Sequence, residues 1–459
     1  MPAILFRVCG IGLLLCAAGC LLGIDYTLSW AAEYSYFSQL DPPPANEMTP
    51  LPEQNGKVQE GQAEDQQAIE EEEDDCEEFC GFPCCTPPGK LWLRADYLMW
   101  WTNGIRLPPL VTTSPQGTTA SEAGVLGYPN TTILFGDQTV ANDGRAGIRI
   151  TMGMWLDNCH NWGIEVDYFT IGEKNANFNE YSTGDPILAR PLYNVQTIAQ
   201  SRELVAYPDI VEGRVTADAK DYFQGTGVWL TYNLCCNECG EPCCETADEC
   251  CCAPPLMYCC RTDLLVGFRY YKHSSSVLIR EDLRVTQEGP TENWLFDITD
   301  NFRARNDFYG SELGLRTRVH RGRWSLEMLA KVAVGNTRQV ITIEGQTIVT
   351  PTDQPTEIRE GGVFAVRSNM GTYNRDAFTM IPQLGVEVGY QLNCNWRAYM
   401  GYNLLYWGCI AQAADQIDLY IDPRNIPPTQ DPALPFPAFS GKTSCFWAQG
   451  ANVGLECRF

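Results

Sequence analysis

Leu91-Trp92-Leu93-Arg94-Ala95-Asp96-Tyr97-Leu98-Met99-Trp100-Trp101 is the stretch on which the reading of the fold turns. Leu91, Leu93, Ala95, Tyr97, Met99 and Trp101 fall at every second position, and Arg94 and Asp96 lie on the face between them. A period of two belongs to a strand whose two sides meet different surroundings. The same grammar returns at Ile148, Ile150, Met152, Met154 and Leu156, and at Trp162, Ile164, Val166 and Tyr168, with Arg149, Glu165 and Asp167 opposite. Further strands read from Val228, Leu230, Tyr232 and Leu234; from Leu264, Val266, Phe268 and Tyr270; and from Tyr309, Leu313, Leu315 and Val319. Trp324 to Val334, Phe378 to Leu392, Trp396 to Tyr406 and the closing Ala448 to Phe459 complete the set.

Alternation alone would also suit a soluble sandwich, so the second face has to decide. It is rich in glycine, at Gly225, Gly227, Gly310, Gly314, Gly385, Gly389, Gly401 and Gly454. Among these stand Arg269, Glu312, Arg316, Glu327, Lys331, Glu387, Arg397, Glu456 and Arg458. A crowded polar lumen needs charges that pair and glycines that make room, whereas a solvated sheet has no use for residues that weaken strands. The connectors agree. Asp157 to Asn161, His320 to Arg323 and Asn393 to Asn395 are tight turns; Thr102 to Asp143, Gly172 to Lys220, His273 to Asn306, Asn336 to Asp376 and Gly408 to Ser444 are expected to be long loops. Short turns on one side and long loops on the other are the mark of an antiparallel transmembrane barrel. The fold class is therefore all-β, an antiparallel transmembrane β-barrel over 91–459 of about ten strands, or about twelve if a long loop hides a hairpin. Trp162, Trp324 and Trp396 each follow a tight turn on the apolar face and are expected to form an aromatic girdle at one membrane depth.

Ahead of the barrel, Arg7, the apolar run Val8 to Leu22 and the small residues Ser29 and Ala31 read as a signal peptide over 1–31. Cys20 follows Ala17-Ala18-Gly19 and offers an alternative lipidation site. Residues 32–90 are acidic and Pro-rich, with carboxylates unbroken from Glu70 to Asp75, and are expected to be a disordered periplasmic segment. No later stretch has the roughly 18 consecutive apolar residues of a helical span. The net charge of -25 excludes a nucleic-acid surface, which must be basic.

Nineteen of the 22 cysteines follow Ala31, which implies an oxidising compartment. Cys76, Cys80, Cys84 and Cys85 form one cluster. Cys235, Cys236, Cys239, Cys243, Cys244, Cys250, Cys251, Cys252, Cys259 and Cys260 form a second, a periplasmic insertion at 235–260. It holds a single C-x-x-C, where a structural zinc site usually has two, so disulfides are the expected chemistry and no metal is assigned. These bonds would link the insertion to the N-terminal segment or to a neighbouring barrel. Cys409 and Cys445 flank the last long loop and are expected to pair.

No nucleophile elbow, phosphate-binding loop, zinc-protease motif or haem attachment site is present. His160, His273 and His320 all fall in what read as turns or loops. No enzyme activity and no cofactor are expected.

Leu91 to Tyr97, Arg145-Ala146-Gly147-Ile148-Arg149 through Trp155-Leu156-Asp157, Trp162-Gly163-Ile164-Glu165 and Gly454-Leu455-Glu456-Cys457-Arg458-Phe459 resemble a β-barrel porin family common in planctomycete bacteria. The resemblance runs from about Leu91 to Phe459 and rests on strand patterns, so it implies the fold more than an activity. The first functional reading is a passive diffusion porin in the bacterial outer membrane, passing small hydrophilic solutes. The second is a non-conducting structural or surface-binding envelope protein. A barrel of about ten strands is narrow for an open pore, which is the weak point of the first reading. Expected partners are membrane lipid, the outer-membrane assembly machinery that would read Phe459 as a terminal aromatic signal, and envelope proteins or a second copy joined through cysteines.

Overall fold

The structure is a computed structural model that describes residues 89–237, 259–427 and 435–459. The signal peptide, Cys20, the acidic segment up to residue 88 with Cys76, Cys80, Cys84 and Cys85, and Cys239, Cys243, Cys244, Cys250, Cys251 and Cys252 lie outside them.

Among the described residues eighteen strands follow one another: β1 (Leu91–Thr102), β2 (Ile105–Leu107), β3 (Val111–Thr113), β4 (Thr132–Phe135), β5 (Gln138–Val140), β6 (Arg145–Trp155), β7 (Trp162–Ser182), β8 (Leu188–Asn194) and β9 (Ala199–Ala206). Then come β10 (Val211–Asn237), β11 (Cys259–Val285), β12 (Leu295–Arg321), β13 (Trp324–Thr350), β14 (Glu357–Glu360), β15 (Gly371–Gln391), β16 (Trp396–Ile410), β17 (Tyr420–Ile421) and β18 (Ser444–Arg458). Ten of them form the ring β12-β11-β10-β7-β6-β1-β18-β16-β15-β13, closed by pairing of β12 with β13. Every neighbouring pair in the ring is antiparallel. Closure leaves no edge in hydrocarbon, where an unpaired backbone group would be costly. The seam between the first and last ring strands is an antiparallel ladder from Trp92 opposite Arg458 to Thr102 opposite Ala448, closed at its foot by two further bonds, from Leu91 N–H to the Phe459 carbonyl and from Phe459 N–H to the Leu91 carbonyl, each 2.9 Å.

The outward face of the lower barrel is a belt of exposed apolar residues, including Leu93, Tyr97, Ile150, Val166, Leu230, Phe268, Leu313, Val388 and Leu455. Trp162, Trp324 and Trp396 open β7, β13 and β16 and are exposed at the tight-turn end. Tyr232 and Tyr390 share that level, with ring centroids 4.4 Å from Trp162 and 5.0 Å from Trp324. On β16 the belt runs from Trp396 to the exposed Tyr406. Ten residues of tilted strand between them span about 25 Å, the height of a barrel's lipid-facing band.

The expected long loops are not simply loops. Strands β10 to β13 each run for 27 residues, and β7 and β15 for 21, so much of 172–182, 211–220, 273–285, 295–306, 336–350 and 371–376 is barrel wall standing above the belt. The cause is a reversal of polarity without a change of strand phase. On β10 the outward Val228 and Leu230 give way to Arg214 and Lys220, while the inward face turns to Val215, Ala217 and Ala219. Beyond the bilayer the outside meets water, so an apolar outer face is no longer the signature of a strand. Phe302 and Ala304 of β12 and Ile341 and Ile343 of β13 continue the apolar inner wall. Against it pack a small sheet, β17-β8-β3-β4 with β9 on β8, and the β2–β5 pair. Burying each large side chain of this cluster contributes about 1.5–3 kcal/mol. His273, expected in a loop, lies within β11 and is buried, and His320 lies within β12.

Candidate functional site

The lumen is built in three layers. At the tight-turn end the fourteen charges expected to face the lumen meet, each less than a tenth exposed: Arg94, Asp96, Arg149, Glu165, Asp167, Arg269, Glu312, Arg316, Glu327, Lys331, Glu387, Arg397, Glu456 and Arg458. Arg94 of β1 reaches Glu387 of β15 and, at 3.3 Å, Glu327 of β13, four strands away around the ring. Arg149 of β6 pairs with Asp96 at 3.1 Å and with Glu387 at 3.5 Å. Arg316 of β12 donates to both oxygens of Glu165 on β7, at 2.5 and 2.6 Å. Arg269 bonds Asp167 at 2.8 Å and Glu312 at 3.3 Å. Lys331 lies 3.7 Å from Glu312 with its ammonium 3.6 Å from the Trp229 ring centroid. Glu456 accepts from Arg397 at 3.0 Å and from Arg458 at 2.5 Å.

Glycine makes these reaches across the lumen feasible at several points. A β-carbon on Gly389 would come within 2.3 Å of the Arg397 Nε, and one on Gly454 within 2.5 Å of the Tyr399 ring. Members that the sequence reading did not name include Arg318, Tyr399 and Asn452. Arg318 pairs with Glu327, Tyr399 accepts from Arg94 Nε at 3.2 Å, and Asn452 donates to Asp96 at 2.9 Å. All three share the inward parity of their strands, which was a usable signal.

Above the charges lies an apolar and aromatic layer of Leu98, Trp100, Phe169, Ile171, Phe223, Tyr271, Phe308, Ala333, Ile381, Leu405, Trp407, Ile410, Phe446 and Ala448. Nine of the ten ring strands contribute to it. Phe223 of β10 and Trp407 of β16 are five strands apart in either direction, yet their ring centroids are 6.4 Å apart. Phe223 also meets Phe446 of β18 at 4.8 Å, and Tyr271 meets Trp407 at 6.1 Å. Side chains from opposite walls therefore touch at the centre.

The third layer is the chain after β16, which turns inward. Cys409 takes a left-handed φ of 57° in the bulge that breaks the β16–β18 register between Trp407 and Ile410. Pins then hold the returning segment to the wall. Gln339 donates to the Cys409 carbonyl, Asn306 donates to the Ala411 carbonyl and accepts from its N–H, both at 2.8 Å, and Ser275 accepts from Ala413 N–H at 2.9 Å. Between this layer and the aromatic one, His273 Nε2 sits 2.6 Å from Asp221, which also accepts from Arg145 at 2.7 Å. The pair is sealed, with both side chains almost wholly buried and Phe446 packed 4.6 Å from the imidazole.

The expected Cys409–Cys445 disulfide is absent: both are free thiols. The bulge displaces Cys409 from the ladder, and the Cys445 sulfur accepts from the Tyr406 hydroxyl at 2.9 Å. Cys235 and Cys260, both disulfide candidates, are free thiols here, and the register sets Cys235 opposite Thr262 and Cys260 opposite Asn237, so they do not face each other across the ladder. The side chains of Cys236 and Cys259 lie outside the described residues. Cys159 and Cys394, in two of the tight turns, are not among the free thiols. No metal-binding group of histidine, cysteine and carboxylates exists among the described residues.

A closed antiparallel ring with an apolar belt, an aromatic level and an inward charge network defines a transmembrane β-barrel. The chain belongs to the family described as Putative beta barrel porin-7 (BBP7), which it matches over residues 92–459. Among solved structures it is similar to the outer membrane protease OmpT from Escherichia coli, at 11% identity over 82% of this chain and 98% of that one, with a TM-score of 0.35. It is also similar to an anion-selective porin from Comamonas acidovorans, at 9% identity over 80% of this chain and 98% of that one, with a TM-score of 0.13. No curated protein matches the chain.

Proposed function

We propose that this protein is exported by its N-terminal signal peptide to the outer membrane and works there as a closed barrel, a structural and surface-presenting envelope protein. The observation that carries this reading is the Phe223–Trp407 contact, which joins opposite walls at the centre of the ring. A passive diffusion pore needs a continuous wet path, and the aromatic layer interrupts it with side chains that are nearly all fully buried. The tall wall and its packed insert present a rigid surface beyond the bilayer. Free thiols at Cys235 and Cys260, beside the cysteine-rich stretch, favour disulfide links to other envelope proteins or to a second copy.

The family description favours the second reading, a porin for small hydrophilic solutes. That role would require the aromatic layer to part. We read the His273–Asp221 pair as structural and the protein as non-enzymatic, because no path for substrate reaches the imidazole. Purified full-length protein in a planar bilayer separates the readings. Electrical silence at neutral pH is expected, and stepwise conductance from the unmodified protein would establish the porin instead.

A further inference from the structure

The insert is fastened to the wall by a buried seam in which carboxylates outnumber cations. Arg190 of β8, wholly buried, donates to Glu281 Oε1 of β11 at 2.5 Å and to Asp300 Oδ2 of β12 at 2.7 Å. Its guanidinium lies 4.1 Å from the Phe364 ring centroid. Asp300 is cradled as an anion, accepting from the N–H groups of Val363, Phe364 and Ala365 at 3.3, 3.1 and 2.7 Å. Glu281 has no such cradle, and its Oε2 is buried without a hydrogen-bond partner. Directly across the β8–β9 ladder from Arg190 stands a third carboxyl, Glu203.

The remaining charges on the surrounding elements do not restore balance. Arg202, next to Glu203, turns its guanidinium to the Ala120 carbonyl. Asp282 is on the outer face of β11, and Arg367 is exposed and paired with Glu360 at 3.8 Å. On the neighbouring strands, Val215 of β10 and Gly345 of β13 face Glu281 and Asp300 without charge. One cation, Arg190, thus meets three carboxyls in a largely buried seam, and such a site lowers its free energy by keeping a proton.

We propose that this seam is a proton-dependent latch, in which a proton kept on the Glu203 and Glu281 carboxyls holds the β8–β9 hairpin against β11 and β12, and its loss loosens the insert. Burial, reinforced by the Glu281 carboxylate, pushes Glu203 up to about 7, and burial pushes Glu281 up as well. An acid raised on folding binds more protons in the folded state. Its contribution is therefore full below its ordinary range, near 4.5, and is lost as pH rises through about 7. The latch is independent of whether the aromatic layer conducts.

Hydrogen exchange on the full-length protein in detergent micelles tests this, with rates corrected for the intrinsic effect of pH and 324–334 as the internal reference. Protection of 188–206 relative to that reference should fall by about ten- to thirtyfold between about pH 5.5 and 8.5, the change that linkage gives for a partly exposed carboxyl moved from near 4.5 to about 7. Glu203→Gln should sharply reduce that dependence, and Glu281→Gln, which removes the neighbouring carboxylate, should weaken it. Flat protection in the unmodified protein, or an undiminished pH dependence in Glu203→Gln, would overturn the latch. Glu203 is only partly buried, so its variant decides the matter even if Glu281→Gln does not fold.

Discussion

At the scale of single residues, glycine and charge act together in the lumen. A β-carbon at Gly389 would press on the guanidinium of Arg397 and come within 2.6 Å of the Ser325 hydroxyl. Gly389→Ala should therefore cost about 1–3 kcal/mol by overpacking. Gly408→Ala, where nothing lies closer than 3.6 Å, is the matched control and should change little. Denaturant midpoints of the two variants, measured by loss of heat-modifiable gel mobility, check this; equal midpoints would refute it. The alternation that separates Arg94 and Asp96 from Leu93 and Tyr97 is readable in sequence, because a strand turns successive side chains to opposite faces. Which charge meets which is not readable. Arg316 finds Glu165 and Arg94 finds Glu327 only because the ring closes, and nothing local encodes those distances.

Among elements, β18 carries the most consequence, because it pairs with β16 on one side and with β1 on the other. Phe459 is exposed at the foot of that seam, in line with Leu455 and Val453 on the lipid-facing side. Phe459→Glu should reduce the yield of heat-modifiable barrel in the membrane fraction several-fold, since a charge is costly where an aromatic residue meets lipid. Unchanged yield would remove any assembly role from this residue. The strands β10 to β13 differ in how much of their length the sequence pattern marks. Their lower halves announce themselves by apolar outer faces, and their upper halves were hidden because the polarity of both faces reverses at the membrane boundary while the backbone continues. A search for buried alternation on the opposite parity, such as Val215, Ala217 and Ala219 or Ile341 and Ile343, would have found them.

For the whole molecule, the aromatic layer decides between a wall and a hole. Phe223→Ala and Trp407→Ala should each destabilise the barrel by about 3–5 kcal/mol. Combined, they remove the contact that bridges the ring and should give discrete conductance steps where the unmodified protein is expected to give none. If the double variant folds and stays silent, the block lies elsewhere, in the charge network below or the packed insert above.

By itself the sequence determined an all-β chain, the lower reach of the ten ring strands, which face of each is apolar, and where the tight turns fall. These follow from the period of two and from turn chemistry, which act within a few residues. Only the tertiary structure decided that the lumen is filled, that the chain after β16 folds inward through the left-handed turn at Cys409, and that Cys409 and Cys445 remain apart as thiols. Those outcomes depend on contacts between strands as far apart as half the ring, and the closing of the ring is what brings them together.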